Sequence, residues 1–168
     1  MINADYCQTM ARYNRWQNRS LYREADGISE SERQLDRGAF FGSIQQTLSH
    51  ILWGDTMWMS RFDGWTPPDV QISEKGRFTV NWDDLKAMRY EADAKIADWA
   101  GRISDDELGS DFSWQSSFEK TDMIHPYGLL VVHVFNHQTH HRGQVHAMLT
   151  AAGAKPDPTD LPFMPDEF

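Results

Sequence analysis

Apolar residues recur every three or four positions in four long stretches of the chain, a spacing that lines one face of an α-helix. The first stretch predicts a helix from about Ala4 to Ala25, with Gly27 as its stop. Its predicted inward residues are Tyr6, Met10, Tyr13, Trp16 and Leu21. The next segment, residues 29–40, is mostly polar and is expected to be a connection without a helix of its own.

The second stretch predicts a helix that opens near Ser43 and ends near Phe62. Ser43 is followed three residues later by Gln46, which resembles a weak capping box, and Pro67 and Pro68 forbid a helix interior in the next loop. The apolar stripe of this helix comprises Ile44, Thr47, Leu48, Ile51, Leu52, Met57 and Trp58. One face of this helix is therefore expected to be buried.

The third and fourth helices are also marked by terminal residues. Asn81 is a good N-cap for the third helix, and Asp83 lies in the first turn, where a negative charge is favourable. The fourth helix is expected to start at Pro126 and to end at Gly153, because two prolines soon after Gly153 prevent it from resuming. The core face of the third helix comprises Leu85, Met88, Ala92, Ile96 and Trp99.

A short hairpin is predicted between the third and fourth helices, over residues 111–124. Phe112 and Trp114 alternate with polar residues there, and a turn-like segment, residues 116–120, follows them. Four amphipathic helices of this length predict an all-α four-helix bundle, expected to be a single domain over residues 1–168. In such bundles, ligand sites are built in the core from side chains on facing helices.

Composition limits the function classes. The net charge of −9 and the pI of about 5.1 argue against nucleic-acid or membrane-surface binding. The single cysteine, Cys7, excludes an intrachain disulfide and is expected to be a small buried residue. The N-terminus shows no signal-peptide pattern, and the longest apolar run, residues 127–135, is too short to span a bilayer, so we expect a cytoplasmic protein.

Histidines supply the candidate chemistry, since five of the seven lie between residues 133 and 146. On a helix, residues four apart lie on one face, so His137 and His141 can reach the same metal ion. A third ligand must come from elsewhere, and His50, in the second apolar stretch, is the best candidate. Spacing alone leaves His140 as an alternative to His141, and it leaves His133 in reserve.

Neighbouring polar residues have expected roles of their own. Gln144 lies almost in line with His137 and could orient a ligand histidine or a metal-bound water, although it could also be an ordinary polar residue. Asp55 lies about 140° round the helix from His50 and cannot easily share its metal, so it could support a ligand residue or form an ion pair, with the structural role preferred. Arg142 is expected to be solvated, and His125 and His146 to be structural or surface residues.

Three segments together resemble the DinB family of four-helix proteins. They are YNRWQNRSLY at 13–22, FFGSIQQTLSHILWGDTMWMSRF at 40–62, and VFNHQTHHRGQVHAMLTAAGAKPDPTDL at 134–161. The resemblance spans essentially the whole chain. It implies a bundle whose metal site has one histidine from the second helix and two from the fourth. Those positions are His50, His137 and His141 here, and His140 is not among them.

The resemblance suggests several functions. Related bundles include S-transferases that use low-molecular-weight thiols, a mycothiol-dependent maleylpyruvate isomerase and metal-dependent hydrolases, and the family name refers to inducibility by DNA damage. We therefore expect a metal-dependent thiol S-transferase or hydrolase that acts on a small molecule, with a homodimer as the expected assembly. Zinc is the expected ion, and nickel also suits imidazole ligands. The alternative is a non-catalytic metal-binding or stress-response protein in which the metal is structural.

Overall fold

The structure is a computed structural model of the chain and describes residues 1–69, 76–115 and 121–168. In chain order its elements are α1 (Ala4–Asp26), α2 (Glu30–Gln34), α3 (Ile44–Phe62), α4 (Trp82–Arg102), α5 (Asp105–Leu108), β1 (Asp111–Gln115), β2 (Asp122–Pro126), α6 (Tyr127–Ala151) and a 3₁₀ turn (Leu161–Phe163). Helices dominate these residues, and their two strands form one small sheet, so the predicted all-α class is confirmed.

The four long helices pack as a bundle. Helix α1 packs along α4 and α6, and α3 packs along the same two helices, so α1 and α3 lie on opposite corners. Two apolar clusters fill the interior, one at each end of the bundle. The first includes Leu21, Leu48, Leu85 and Leu149, and the second includes Cys7, Met59, Trp99 and Phe135. Burying one such side chain contributes roughly 1.5–3 kcal/mol, so these clusters supply most of the drive for the helices to associate.

Helix ends follow the capping signals closely. Asn81 is the N-cap of α4, as predicted, and its side chain accepts a hydrogen bond from the backbone N–H of Asp84. Ser43 caps α3 in the same way, through the backbone N–H of Gln46. Pro126 was predicted to open the last helix, but it is the final residue of β2, and α6 begins at Tyr127. Strand pairing therefore extends to the residue directly before α6.

The predicted hairpin is present as strands β1 and β2, which pair antiparallel with Phe112 opposite His125 and Trp114 opposite Met123. These four side chains are half-buried, whereas their neighbours along each strand are exposed. The turn-like segment 116–120 lies outside the described residues. The hairpin leads directly into α6, and the Tyr127 N–H donates to the Ser110 carbonyl.

Two details of the bundle differ from the sequence expectation. The connection at 29–40 contains the short helix α2, and the turn after it buries Phe41. On α3, Met59 is buried, whereas Met57 and Trp58 are only half-buried. Met59 lies seven residues after Leu52 and therefore continues the inward row on a 3.6-residue helix. None of the helices that the described residues form is long and apolar enough to cross a membrane.

Candidate metal centre

Three histidines converge where α3 packs against α6. His50 projects from α3, and His137 and His141 project from successive turns of α6. One ring nitrogen from each lies within 4.8 Å of the others, and the ring centroids are 4.6 to 5.0 Å apart. We call these residues the three-histidine cluster. It contains the three predicted ligands, while His140 is exposed and outside the cluster.

Hydrogen bonds fix which nitrogen of two rings faces the cluster. His50 Nδ1 lies 2.6 Å from the Gly76 carbonyl oxygen, which can only accept, so Nδ1 carries the proton and Nε2 has a free lone pair. His141 Nδ1 lies 2.8 Å from Gln144 Oε1 and donates to it in the same way. This hydrogen bond is the contact by which Gln144 would orient His141 as a ligand.

Burial keeps these rings in the form that binds metal. It lowers the pKa of His50 to about 4 and that of His137 to about 3, and it also lowers the pKa of His141. Proximity to His141 and His50 lowers the pKa of His137 further. All three rings are therefore neutral near pH 7, and neutral imidazole is the ligand form.

The donor positions fit a divalent cation. Nε2 of His50 and Nε2 of His137 are 3.0 Å apart. In tetrahedral zinc sites with Zn–N bonds of about 2.0–2.1 Å, two ligand nitrogens are separated by roughly 3.3 Å. Small side-chain movements would therefore bring both nitrogens to one ion. Imidazole nitrogen suits zinc, nickel, iron and copper, so these ligand types are compatible with several transition metals.

Two further residues hold the rings in place, and the sequence analysis identified neither. Phe41 stacks on His50 with ring centroids 3.8 Å apart and meets the edge of His141. A Cβ atom on Gly54 would lie 3.0 Å from His137 Cε1, so the absence of a side chain there admits the His137 ring. Gly54 follows His50 by one helical turn, and a glycine inside a helix is a sequence signal for such close approach.

We expect Gly54→Ala to weaken zinc binding roughly 10- to 100-fold, comparable to the loss of a group that orients a ligand. The added methyl group must displace the His137 ring. Competition with a chromophoric chelator would measure the affinity. Gly143→Ala on α6 is the matched control, because its Cβ would meet nothing within 4 Å. Equal zinc affinity in both variants would contradict this role for Gly54.

Removing the amide of Gln144 tests the orientation of His141 separately. Without the acceptor at Oε1, the His141 ring can rotate or change tautomer. We expect Gln144→Leu to weaken zinc binding roughly 10- to 100-fold. Gln144 Nε2 also lies 3.4 Å from His140 Nε2, so His140→Ala is the control, and it should leave the zinc affinity unchanged. A zinc affinity in Gln144→Leu equal to that of the wild type would show that Gln144 does not orient His141 for metal binding.

A buried polar network lies beside the cluster and links all four long helices. Arg89 on α4 donates to Asp55 on α3, and its Nη2 lies 2.9 Å from Asp93 Oδ1. Asn18 on α1 donates to Asp93, and Gln138 on α6 donates to Asp55 at 2.7 Å. The prediction of an ion pair for Asp55 is confirmed.

Arg142 was predicted to be solvated, and this was wrong. Its guanidinium is buried, donates to Gln138 Oε1 at 2.8 Å and packs against the Tyr13 ring. Gln138 in turn donates to Asp55, so Arg142 extends the buried network. Gln138 and Arg142 directly follow His137 and His141 of the three-histidine cluster on α6. The network thus holds the helix that presents two of the three histidines.

Two comparisons with known proteins indicate the same family. The sequence profile of the DinB family matches residues 1–167. The chain is also similar to Protein DinB of Bacillus subtilis (strain 168), with 26% identity over 170 residues, covering 94% of this chain and 92% of that protein. Both matches extend over the whole bundle and include the region of the three-histidine cluster.

Proposed function

The chain belongs to the DinB family, and from this premise and the three-histidine cluster we propose that it is a divalent-metal-dependent enzyme acting on a small molecule. One observation carries the proposal. Among the residues that the structure describes, no fourth His, Cys, Asp or Glu joins the cluster. Structural zinc sites are usually closed by four protein ligands, whereas catalytic sites keep one position open.

His50, His137 and His141 would hold the ion. Zinc is favoured because it needs no redox partner, and nickel suits the same ligands. A bound divalent cation would act as a Lewis acid and lower the pKa of a water or thiol in its open position. The protein's own part is to hold the ligand rings still. The Gly76 carbonyl and the Gln144 side chain orient the rings of His50 and His141. The Phe41 ring packs on His50, and Gly54 leaves room for the ring of His137.

We propose thiol S-transfer with a low-molecular-weight thiol as the reaction class and hydrolysis as the other candidate. The same three ligands serve both, because either a thiol or a water can take the open position. Buried neutral imidazoles support both reactions equally, since they leave the charge of the cation uncompensated. Thiol-transfer and hydrolysis assays with identically loaded protein would separate the two reactions.

Cobalt substitution tests whether the position is open. We expect mercaptoethanol or azide to change the visible spectrum of the cobalt-loaded protein, and we expect the metal-free protein to keep its fold because two apolar clusters stabilise the bundle. A spectrum indifferent to both ligands, together with unfolding of the metal-free protein, would instead assign a structural role to the metal. The protein would then fit a non-catalytic metal-binding or stress-response function.

We further propose that the enzyme is a cytoplasmic homodimer. Several large apolar side chains are exposed, among them Phe40, Ile124 and Phe163, and exposed apolar surface is often an interface. Light scattering at micromolar concentration should give a mass well above 19.5 kDa, the mass of one chain. A mass equal to that of one chain would reject the dimer.

A further inference from the structure

Ring contacts between α3 and α6 continue beyond the three-histidine cluster. His133 lies one turn before His137, with its ring 5.9 Å away, and meets the ring of Trp58 at 5.3 Å. His133 is exposed and Trp58 is half-buried, so this face of the helix pair is accessible to solvent. A continuous aromatic wall therefore leads from His137 to Trp58.

Arg61 lies at the far end of this wall, packed against two indoles. Its guanidinium carbon is 4.8 Å from the ring centroid of Trp58 and equally far from that of Trp114. The two indole rings are 5.3 Å apart and tilted by 55°. Trp114 Nε1 donates to His125 Nδ1 at 3.1 Å, which fixes the ring on its strand. The guanidinium thus lies in a preformed site between the indoles of Trp58 and Trp114, which we call the corner.

The charge environment of Arg61 differs from that of three other arginines. Arg23, Arg89 and Arg102 each form an ion pair with a carboxylate, whereas no carboxylate lies within 4.0 Å of Arg61 in the part of the chain that the structure describes. Its burial is partial and lowers its pKa, but arginine remains charged at neutral pH. Arg61 is therefore a half-buried cation with no carboxylate partner among the described residues, in a chain whose net charge is −9.

Guanidinium chemistry indicates what would bind there. Indole packing uses the faces of the guanidinium and leaves its in-plane N–H groups as donors. The acceptor that matches these donors is a carboxylate, which can take two parallel hydrogen bonds. Trp58 lies eight residues after His50, which places the corner roughly 12 Å along the helix axis from the cluster. A small ligand could therefore touch both.

We propose that Arg61, Trp58 and Trp114 form a carboxylate-binding subsite for a ligand whose other end reaches the three-histidine cluster. That the ligand also reaches the three-histidine cluster rests on the proposed function of that cluster. The carboxylate-binding subsite does not depend on that function. The ligand class is then a small molecule or thiol with a carboxylate about two helical turns from the group that meets the metal.

A chain-length series tests the span. Cobalt-loaded protein is titrated with mercaptoacetate, mercaptohexanoate and mercaptoundecanoate, each beside the thiol of equal length that ends in a hydroxyl. We expect a longer mercaptocarboxylate to bind about tenfold more tightly than the thiol of equal length that ends in a hydroxyl, because it gains one charge-assisted contact. Mercaptoacetate is too short to gain this contact and should bind no more tightly than its hydroxyl counterpart. Arg61→Gln should remove the advantage, and Arg102→Gln, the control, should keep it. If the carboxylate strengthened binding equally at every chain length, or still strengthened it in Arg61→Gln, the proposal that one ligand spans the subsite and the cluster would be refuted.

A second titration tests the subsite without metal. Hexanoate, but not hexanol, should shift the indole N–H resonance of Trp114 and the side-chain N–H resonance of Arg61 in the metal-free wild-type protein. Unmoved resonances would refute the subsite, whatever the cobalt spectra show. Shifted resonances with a cobalt spectrum indifferent to every thiol would support the subsite and refute the open metal position. The two proposals therefore fail in distinguishable ways.

Discussion

His50→Ala should abolish most zinc binding. His50 is the histidine that α3 contributes to the cluster, and its Nε2 lies 3.0 Å from Nε2 of His137. Losing a group that merely orients a ligand weakens metal binding about 10- to 100-fold, so losing the ligand itself should cost more than about 100-fold. Elemental analysis of untagged protein, dialysed against a weak chelator, would measure the zinc retained per chain.

His140→Ala is the matched control for this experiment. His140 is adjacent to His141 on α6, but its side chain is exposed and it is not part of the cluster. It should retain as much zinc as the wild type. Equal zinc content in His50→Ala and the wild type would refute the assignment of His50. A parallel loss in His140→Ala would show that zinc binds to the exposed histidines of α6.

Arg89→Leu should destabilise the fold by about 3–5 kcal/mol, because removing one partner leaves buried charges uncompensated. Arg89 is fully buried and is the cation between Asp55 and Asp93. Without it, both carboxylates must either remain charged without an ion-pair partner or take up protons on folding. Urea unfolding of metal-free protein, followed by circular dichroism, would measure the loss without a contribution from metal binding.

Arg102→Leu is the control for Arg89→Leu. Arg102 also pairs with two carboxylates, Asp63 and Asp98, but its guanidinium is exposed, and solvent screens both interactions. Its urea midpoint should stay close to that of the wild type. If the two variants unfolded at the same urea concentration, the buried network would not be a principal source of stability.

The network also ties stability to the metal centre. Asp55 follows Gly54 on α3, and Gln138 follows His137 on α6, so the hydrogen bond from Gln138 to Asp55 lies next to the contact between His137 and Gly54. Weakening the network should therefore make the alignment of α3 against α6 less well fixed. Zinc affinity in Arg89→Leu, measured where the variant is folded, should fall as well.

Local sequence signals determined most of the secondary structure. Apolar periodicity identified α1, α3, α4 and α6, and capping residues such as Asn81 located their ends, because both signals act within a few residues. Helical spacing also placed His137 and His141 on one face. Spacing alone could not exclude His140, and it was the resemblance to a known family that selected His141.

Only the tertiary structure decided which distant residues meet. The packing of α3 against α6 brings His50 to His137, and the Gly76 carbonyl orients His50 from another segment of the chain. Phe41 was not identified because it precedes the periodic stretch that predicts α3, although its ring packs on two of the histidines. Contacts between segments depend on how helices pack, which periodicity within one helix does not specify.

The environment of the charged residues shows the same limit. Arg142 was expected in solvent, yet it is buried, where an arginine without polar partners is costly. Its cost is offset by Gln138, which in turn bonds Asp55 on a different helix. Sequence alone therefore determined the helices and one face of the metal centre. Burial, charge pairing and the approach of His50 to the two histidines of α6 depended on the tertiary structure, because each requires partners from other helices.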